Sequence, residues 1–154
     1  MRYPTHIGVL SVAQLAMMSY TEAMDTTTAY RLQDAARPLA DLLDPEQQYS
    51  FPMSGNDDLV RHGVSGCLTL ADLAAYIATH AIEADMPVVV KIEGPESEDA
   101  PLDADDGEVL ILPVRAERVA DDGAFFDLVG DLVDLHWEEG LDCDALREIA
   151  TERI

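Results

Sequence analysis

The chain has 154 residues, 48% of them apolar, which is enough to bury the core of a single domain. It carries 31 acidic and 9 basic residues, a formal net charge of −22, and Lys91 is its single lysine. Free nucleic acid is therefore a poor partner, because phosphate binding needs clustered lysine and arginine. The two cysteines have no C-x-x-C spacing, which argues against a disulfide framework or a zinc site.

The same composition indicates the salt conditions in which the protein works. Exposed like charges interact over about 10 Å at 0.1 M salt, so this self-repulsion would weaken a compact fold at ordinary ionic strength. Scarce lysine, retained arginine and plentiful aspartate, alanine and valine are typical of proteins from haloarchaea, whose cytosol holds molar salt. We predict a cytoplasmic protein of this type. The alternative from composition is an acidic protein that binds cations or basic partners.

Residues 1–44 are predicted to be helical. A capping box at Ser11, with glutamine three positions later, predicts a helix from about 12 to 24. A second helical stretch is predicted from about 27 to 43. Pro38 interrupts it, so the helix either kinks there or restarts with the proline in its first turn.

Residues 45–66 are predicted to be a connecting loop, because they contain two prolines, three glycines and little periodicity. An α+β core follows at 67–154 and completes a single domain over 1–154. It opens with a helix that Thr69 caps and that runs to about Ala84. The broad apolar face of this helix predicts that most of it is buried.

Two apolar runs, at about 87–93 and 108–114, are predicted to form an antiparallel β-hairpin. The segment between them is acidic and has turn signals at both ends. Two strands are too few to be stable alone, so we expect helices to cover one face of the hairpin. The run from Asp103 to Gly107 is one residue short of the head of a calcium loop. We interpret it as a solvated acidic loop.

Residues 125–138 have the periodicity of an amphipathic helix, with apolar side chains on one stripe and acidic side chains on another. A strand over the same residues would mix acids into its apolar side. Gly130 argues against the helix, because glycine is unfavourable in the interior of a helix. A short terminal helix is then predicted, capped by Asp142 or Asp144 and ending near Arg153.

No catalytic signature is present in the sequence. The candidate ligands and nucleophiles are His6, His62, His80, His136, Cys67 and Cys143. Those in predicted helices lack a second histidine or cysteine three or four positions away, which is the spacing that puts two ligands on one face. We interpret His136 as a packed, hydrogen-bonded core histidine, and Lys91 as a strand lysine that pairs with a carboxylate or guards an edge. We predict no catalytic residue, no metal site and no cofactor.

From Leu70 onward, the order of parts resembles small tail-completion or tail-terminator proteins of tailed viruses. The matching parts are a helix at 70–81, the extended PVVVKIEGP, a loop, the strand EVLILPV followed by two arginines, and a terminal helix. This resemblance implies a third strand at 124–136 and subunits that form a ring at the end of the tail tube. Helix and strand therefore both stay open for 124–136.

We predict a non-catalytic structural or assembly subunit of a multi-subunit particle in a haloarchaeal setting. The specific hypothesis is a neck or tail-junction protein of a tailed haloarchaeal virus, located in the cytosol or in the virus particle. Its partners would be proteins, in a homo- or hetero-oligomer, with no free nucleic acid and no membrane. One alternative is a host interaction or regulatory module that presents its acidic loop to a basic partner. The other is a metal-dependent enzyme that uses His136 or His80 with nearby carboxylates.

Overall fold

A computed structural model of the protein describes residues 26–52, 55 and 57–154. The strands are β1 Thr26–Asp34, β2 Tyr49–Ser50, β3 Arg61–His62, β4 Val64–Cys67, β5 Pro87–Pro95, β6 Glu108–Ile111 and β7 Arg115–Arg118. The α-helices are α1 Leu70–His80, α2 Gly123–Glu139 and α3 Cys143–Arg153. Short 3-10 helices lie at Leu39–Leu43, Pro45–Gln47, Asp57–Leu59 and Ala104–Asp106. The helix predicted at 12–24 and His6 lie outside the described residues.

The prediction of a helical N-terminal half is wrong where it can be compared with the structure. Residues Thr26–Asp34 form β1, which pairs with β5 at every position from Thr26 opposite Pro95 to Asp34 opposite Pro87. A strand with neighbours on both sides gains ladder hydrogen bonds and cross-strand contacts that outweigh the moderate helix propensity of its residues. The chain becomes helical only after Pro38, where Leu39–Leu43 form a 3-10 helix.

The described strands form a five-stranded antiparallel sheet, in the order β6-β4-β1-β5-β7, and a separate ribbon of β2 and β3. The predicted hairpin is therefore wrong. β5 and β6 are strands, but β5 pairs with β1 and β7, whereas β6 pairs with β4. Val89 and Val90 point to opposite faces of β5 and both are buried, so this strand occupies the interior of a sheet rather than one arm of a hairpin.

The connecting loop predicted at 45–66 is also corrected, because β2, β3 and most of β4 lie within it. Its glycines suggested turns, but Gly66 has a different role. A Cβ at Gly66 would lie 2.9 Å from the carbonyl oxygen of Tyr30 on the neighbouring strand. The glycine therefore permits β4 to lie close against β1.

β6 and β7 are two parts of one extended segment, and this segment closes the sheet. Its first part pairs with β4, with Ile111 opposite Val64, and its second part pairs with β5, with Arg115 opposite Glu93. Between these parts, the Leu112 amide donates to the Pro95 carbonyl oxygen at 2.8 Å. The sheet therefore curls until continuous chain joins the strands at its two ends.

The helices indicated by the pattern after Thr69 are present, although α1 ends at His80 and not near Ala84, and 124–136, left open between helix and strand, is helical. The Thr69 hydroxyl caps α1 by accepting a hydrogen bond from the Asp72 amide at 3.0 Å, and the Asp142 carboxylate caps α3. Residues 123–139 are α2, so the third strand at 124–136 is wrong, because the helical stripe buries Phe125, Leu128 and Leu132 on one side. None of the described helices has the length and apolar character needed to span a membrane.

Both faces of the sheet are buried. One face packs against all three described helices, through Val89 of β5, Leu73 and Ile77 of α1, Leu128 and Leu132 of α2, and Leu146 of α3. The other face is the inside of the curl, where a second cluster forms from Ala29, Leu42, Val64, Val88, Val90, Ile92 and Ile111. The cavity described below is lined by residues of both clusters, among them Leu42 and Val64 of the second and Leu73 and Ile77 of the first.

Two glycine substitutions test the closure of the sheet. A Cβ at Gly94 would collide with the backbone of Leu112, whereas a Cβ at Gly130, on the exposed side of α2, would meet nothing within 4 Å. We expect Gly94→Ala to lower the free energy of unfolding by about 2–4 kcal/mol. Gly130→Ala should raise it by about 0.5–1 kcal/mol through helix propensity. Urea denaturation in molar KCl measures both, and an unchanged stability of Gly94→Ala would contradict the closure.

Candidate functional site

A cavity of about 600 Å³ opens between the curled sheet, α1 and the segments that carry β2 and β3. Its volume is within the range of ligand sites in proteins, about 300–1,000 Å³. Its polar side chains come from separate elements: Arg31 from β1, Arg61 from β3, Ser65 from β4, Tyr76 from α1 and Glu108 from β6. The site is therefore assembled only when the sheet and α1 come together.

Glu108 provides a buried carboxylate in the wall of this cavity. The residue is 4% exposed. Arg61 Nη1 donates to its two carboxylate oxygens at 3.2 and 3.3 Å, the Ser65 hydroxyl donates at 2.6 Å, and the Asp103 amide donates at 2.9 Å. A buried carboxylate needs this many donors to offset the loss of water. Glu108 therefore neutralises Arg61 and is itself fully engaged.

Arg31 differs from Arg61 in its partners among the residues that the structure describes. Its Nε donates to Gln33 Oε1 at 2.9 Å and its Nη1 donates to the Ser65 carbonyl oxygen at 2.8 Å. No carboxylate in the described part of the chain forms an ion pair with it. Although some of the residue stays accessible, burial and, to a smaller extent, the nearby charge of Arg37 together lower the pKa of the Arg31 guanidinium to about 10. The cavity therefore contains a partly desolvated cation that stays charged at neutral pH.

The described residues that line the cavity carry more positive than negative charge. Arg31, Arg37 and Arg61 stand against the carboxylates of Asp103 and Glu108. Arg37 Nε lies 3.9 Å from Asp41 Oδ2, and the Arg37 side chain is 39% exposed, so this ion pair is weak. In a chain with a net charge of −22, a local excess of positive charge marks this cavity as the place where an anion is attracted.

The mouth of the cavity is apolar. Phe51 is 71% exposed, and Leu102, Tyr49 and Leu59 are between 39% and 48% exposed. All four side chains line the cavity, and we call them the apolar rim. Large apolar side chains that are grouped and exposed beside a cavity are typical of a surface that binds another molecule.

The histidines singled out in the sequence do not come together. His80 Nε2 lies 2.7 Å from Asp106 Oδ2, His62 lies in β3 beside Tyr49, and His136 Nδ1 lies 2.8 Å from the Leu141 carbonyl oxygen. The predicted hydrogen bond of His136 is confirmed, although the ring is only half-buried. In the part of the chain that the structure describes, no group of three His, Cys, Asp or Glu residues could hold a metal ion.

The cysteines and the lysine have structural surroundings. Cys67 and Cys143 are buried and free, and burial raises the pKa of both thiols, so neither is an activated nucleophile. Lys91 Nζ lies 3.1 Å from Glu117 on the neighbouring strand. The prediction that Lys91 pairs with a nearby carboxylate is confirmed.

We expected the acidic loop to be solvated, but the structure shows that part of it binds the rest of the fold. Three of its carboxylates bind groups elsewhere in the fold: Asp99 accepts from the His62 amide at 2.7 Å, Asp103 accepts from the Tyr76 hydroxyl at 2.8 Å, and Asp106 lies against His80. These contacts attach the loop to β3 and α1. The loop therefore closes one side of the cavity instead of extending into solvent.

Comparison of the chain with protein-family models, curated proteins and solved structures finds no match.

Sequence reasoning missed Arg31 because it placed the residue in a helix. In a strand, Ala29, Arg31 and Gln33 alternate onto one face, opposite Ile92, Val90 and Val88 of β5. An arginine between small or polar neighbours on that face is the signal that could have found the site. It becomes visible only once β1 is known to be a strand.

Replacing Arg31 tests whether its partly buried charge lowers the free energy of unfolding. We expect Arg31→Met to leave the free energy of unfolding unchanged or to raise it, by up to about 2 kcal/mol, because a desolvated cation is removed. Urea denaturation measures the effect, and Arg118→Met on the exposed part of β7 is the matched control. A fall of more than about 1 kcal/mol would show instead that the two hydrogen bonds of Arg31 mainly support the fold.

Tyr76 predicts a pH dependence of stability. Burial, and then the hydrogen bond to Asp103, raise the pKa of its phenol above the ordinary value of about 10. The folded protein therefore holds this proton more tightly than the unfolded chain. The resulting stability is complete below about pH 10 and is lost as the pH rises further, by up to about 1.4 kcal/mol per pH unit. The free energy of unfolding of Tyr76→Phe should fall less steeply with pH than that of the wild type when denaturation is followed from about pH 8 to pH 12. Equal slopes for the two proteins would contradict the prediction.

Proposed function

We propose that the protein is a non-catalytic binding subunit of a larger protein assembly, and that it contacts its partner at the arginine-lined cavity and the apolar rim. The rim is the observation that carries the proposal. Phe51 leaves 71% of its surface in water beside Leu102, at 48%, although the protein has two apolar clusters in which such side chains could be buried. Exposed apolar surface of this kind is stabilised when a partner covers it.

The groups inside the cavity favour binding over catalysis. Glu108 is occupied by four hydrogen bonds, and the raised pKa values of Tyr76 and Cys67 keep both groups protonated near neutral pH. A general acid or base works best when its pKa is near the working pH and it can reach the substrate. These side chains hold the walls of the cavity together instead.

High salt is compatible with this mode of binding. The net charge of −22 supports a haloarchaeal setting, in which exposed charges are screened within about 3 Å at 1 M salt. Long-range attraction between subunits is then weak, and apolar contact together with short-range, partly buried charge provides the binding energy. The cavity and its rim combine these two features.

The alternative of a host module that offers its acidic loop to a basic partner has less support. Asp99, Asp103 and Asp106 already bind groups of this chain. Part of the hydrogen-bonding capacity of the loop is therefore used within the fold, and a basic partner would have to rely on the remaining lone pairs and on the exposed Glu98 and Asp105. The narrower hypothesis of a neck or tail-junction protein in a tailed haloarchaeal virus stays a prediction.

The test is the mass of the tagged protein, purified from a haloarchaeal host in molar KCl and measured by light scattering. We expect a defined complex larger than the 16.8 kDa chain. Phe51→Ser combined with Leu102→Ser should release the 16.8 kDa chain from it. Trp137→Ser is the matched control, because Trp137 is 74% exposed on α2 and does not line the cavity. A monodisperse single chain that joins no partner would disprove the proposal.

A further inference from the structure

We infer that the cavity binds the free carboxyl terminus of a partner polypeptide that ends in apolar residues. The inference rests on the proposed function, and it names what enters the cavity that the apolar rim surrounds. Three features carry it: the donors of Arg31 that have no acceptor among the described residues, the charge balance of the cavity's described lining, and the distribution of apolar surface.

The donors of Arg31 fit a carboxylate. A guanidinium has five N–H groups in a planar fork, and Arg31 uses its Nε and one N–H of Nη1 for Gln33 and Ser65. The other N–H groups have no acceptor in the described part of the chain. A carboxylate can accept two parallel hydrogen bonds from such a fork, and a charged pair of this kind is shorter and stronger than a neutral one.

The charge balance favours an anion with a single charge. Among the described lining residues, three arginines stand against two carboxylates, which leaves one positive charge. The repulsion between Arg31 and Arg37, which contributes to the lowered pKa of Arg31, would be relieved by one anion near both. A carboxylate balances this excess, whereas a phosphate dianion would leave an uncompensated negative charge near Asp103 and Glu108.

Much of the cavity wall is apolar and fits an apolar ligand next to the carboxylate. Its apolar lining includes Leu42, Val64, Leu73, Ile77, Ile82 and Leu102, beside the polar Gln47, Ser50 and His80. A fully hydrated group such as a sugar would lose water against the apolar part of this wall. An aliphatic or aromatic terminal side chain would instead gain about 25 cal/mol for each Å² of apolar surface that it buries.

The apolar rim indicates a polypeptide and not a small free acid. A small acid inside the cavity would leave Phe51 and Tyr49 exposed, at 71% and 47% of their surface. A chain whose last residue reaches Arg31 would place its preceding apolar residues on these rings. An internal aspartate or glutamate fits less well, because the chain on both sides of it would have to pass through the same mouth.

The test uses synthetic peptides that carry a fluorophore at the amino terminus and apolar residues at their last three positions. Each is made with a free carboxyl terminus and with an amidated one, and binding is measured by anisotropy at the lowest KCl concentration that keeps the protein folded. We expect free-acid peptides to bind at least about tenfold more tightly than their amides. Arg31→Gln should abolish this difference, and Arg118→Gln, which removes the same charge from exposed β7, should preserve it.

Several outcomes would overturn the inference. They are equal binding of acid and amide, no binding of any free-acid peptide, displacement of the peptide by inorganic phosphate at lower concentration than by acetate, and binding of octanoate as tight as that of the peptides. If Arg31→Gln fails to fold, the comparison of acid with amide on the wild type still decides. If the peptides fail while the Phe51 and Leu102 substitutions still dissolve the complex, the proposed function stands and only this inference falls.

Discussion

Glu108 places a carboxylate inside the protein, where it must find hydrogen-bond donors or destabilise the fold. Its donors come from Arg61 of β3, Ser65 of β4 and the amide of Asp103 in the acidic loop. Glu108 is also the first residue of the segment that closes the sheet. One buried charge therefore sets the position of β3 and the loop relative to β4. It also neutralises Arg61, whereas no carboxylate among the described residues pairs with Arg31.

Closure of the sheet and burial of both its faces explain why a cavity exists. The helices pack on one face, and α1 is well packed because small residues, Ala71, Ala74, Ala75 and Ala78, let it approach closely. The other face is enclosed by its own curvature, and a curled sheet leaves an opening at its mouth. Arg31 lies on this second face, on the strand next to β4, and lines the cavity. Its charge is therefore placed where the packing of the core is interrupted. Local departures from the best packing are expected at sites that bind other molecules.

The acidic surface and the cavity act over different distances. A net charge of −22 repels other copies of the chain, and molar salt would screen that repulsion to short range. In the haloarchaeal setting that we propose, recognition depends on contacts that exclude water. The proposed partner would find such contacts at the apolar rim and at the half-buried Arg31. The acidic loop supports this site, because it ties Asp103 to Tyr76 and Asp106 to His80.

The sequence by itself determined the parts of this protein whose stability is local. The caps at Thr69 and Asp142, and the 3.6-residue stripe that buries Phe125, Leu128 and Leu132, depend on residues within a few positions, and they predicted α1, α2 and α3. The apolar runs correctly predicted that β5 and β6 are strands, but the predicted pairing of these two with each other is wrong, because pairing depends on distant segments. Only the tertiary structure decided that β1 is a strand, since its conformation comes from cross-strand partners on β5. The same is true of the cavity: Arg31, Arg61 and Glu108 are far apart in the chain, and only closure of the sheet brings them together.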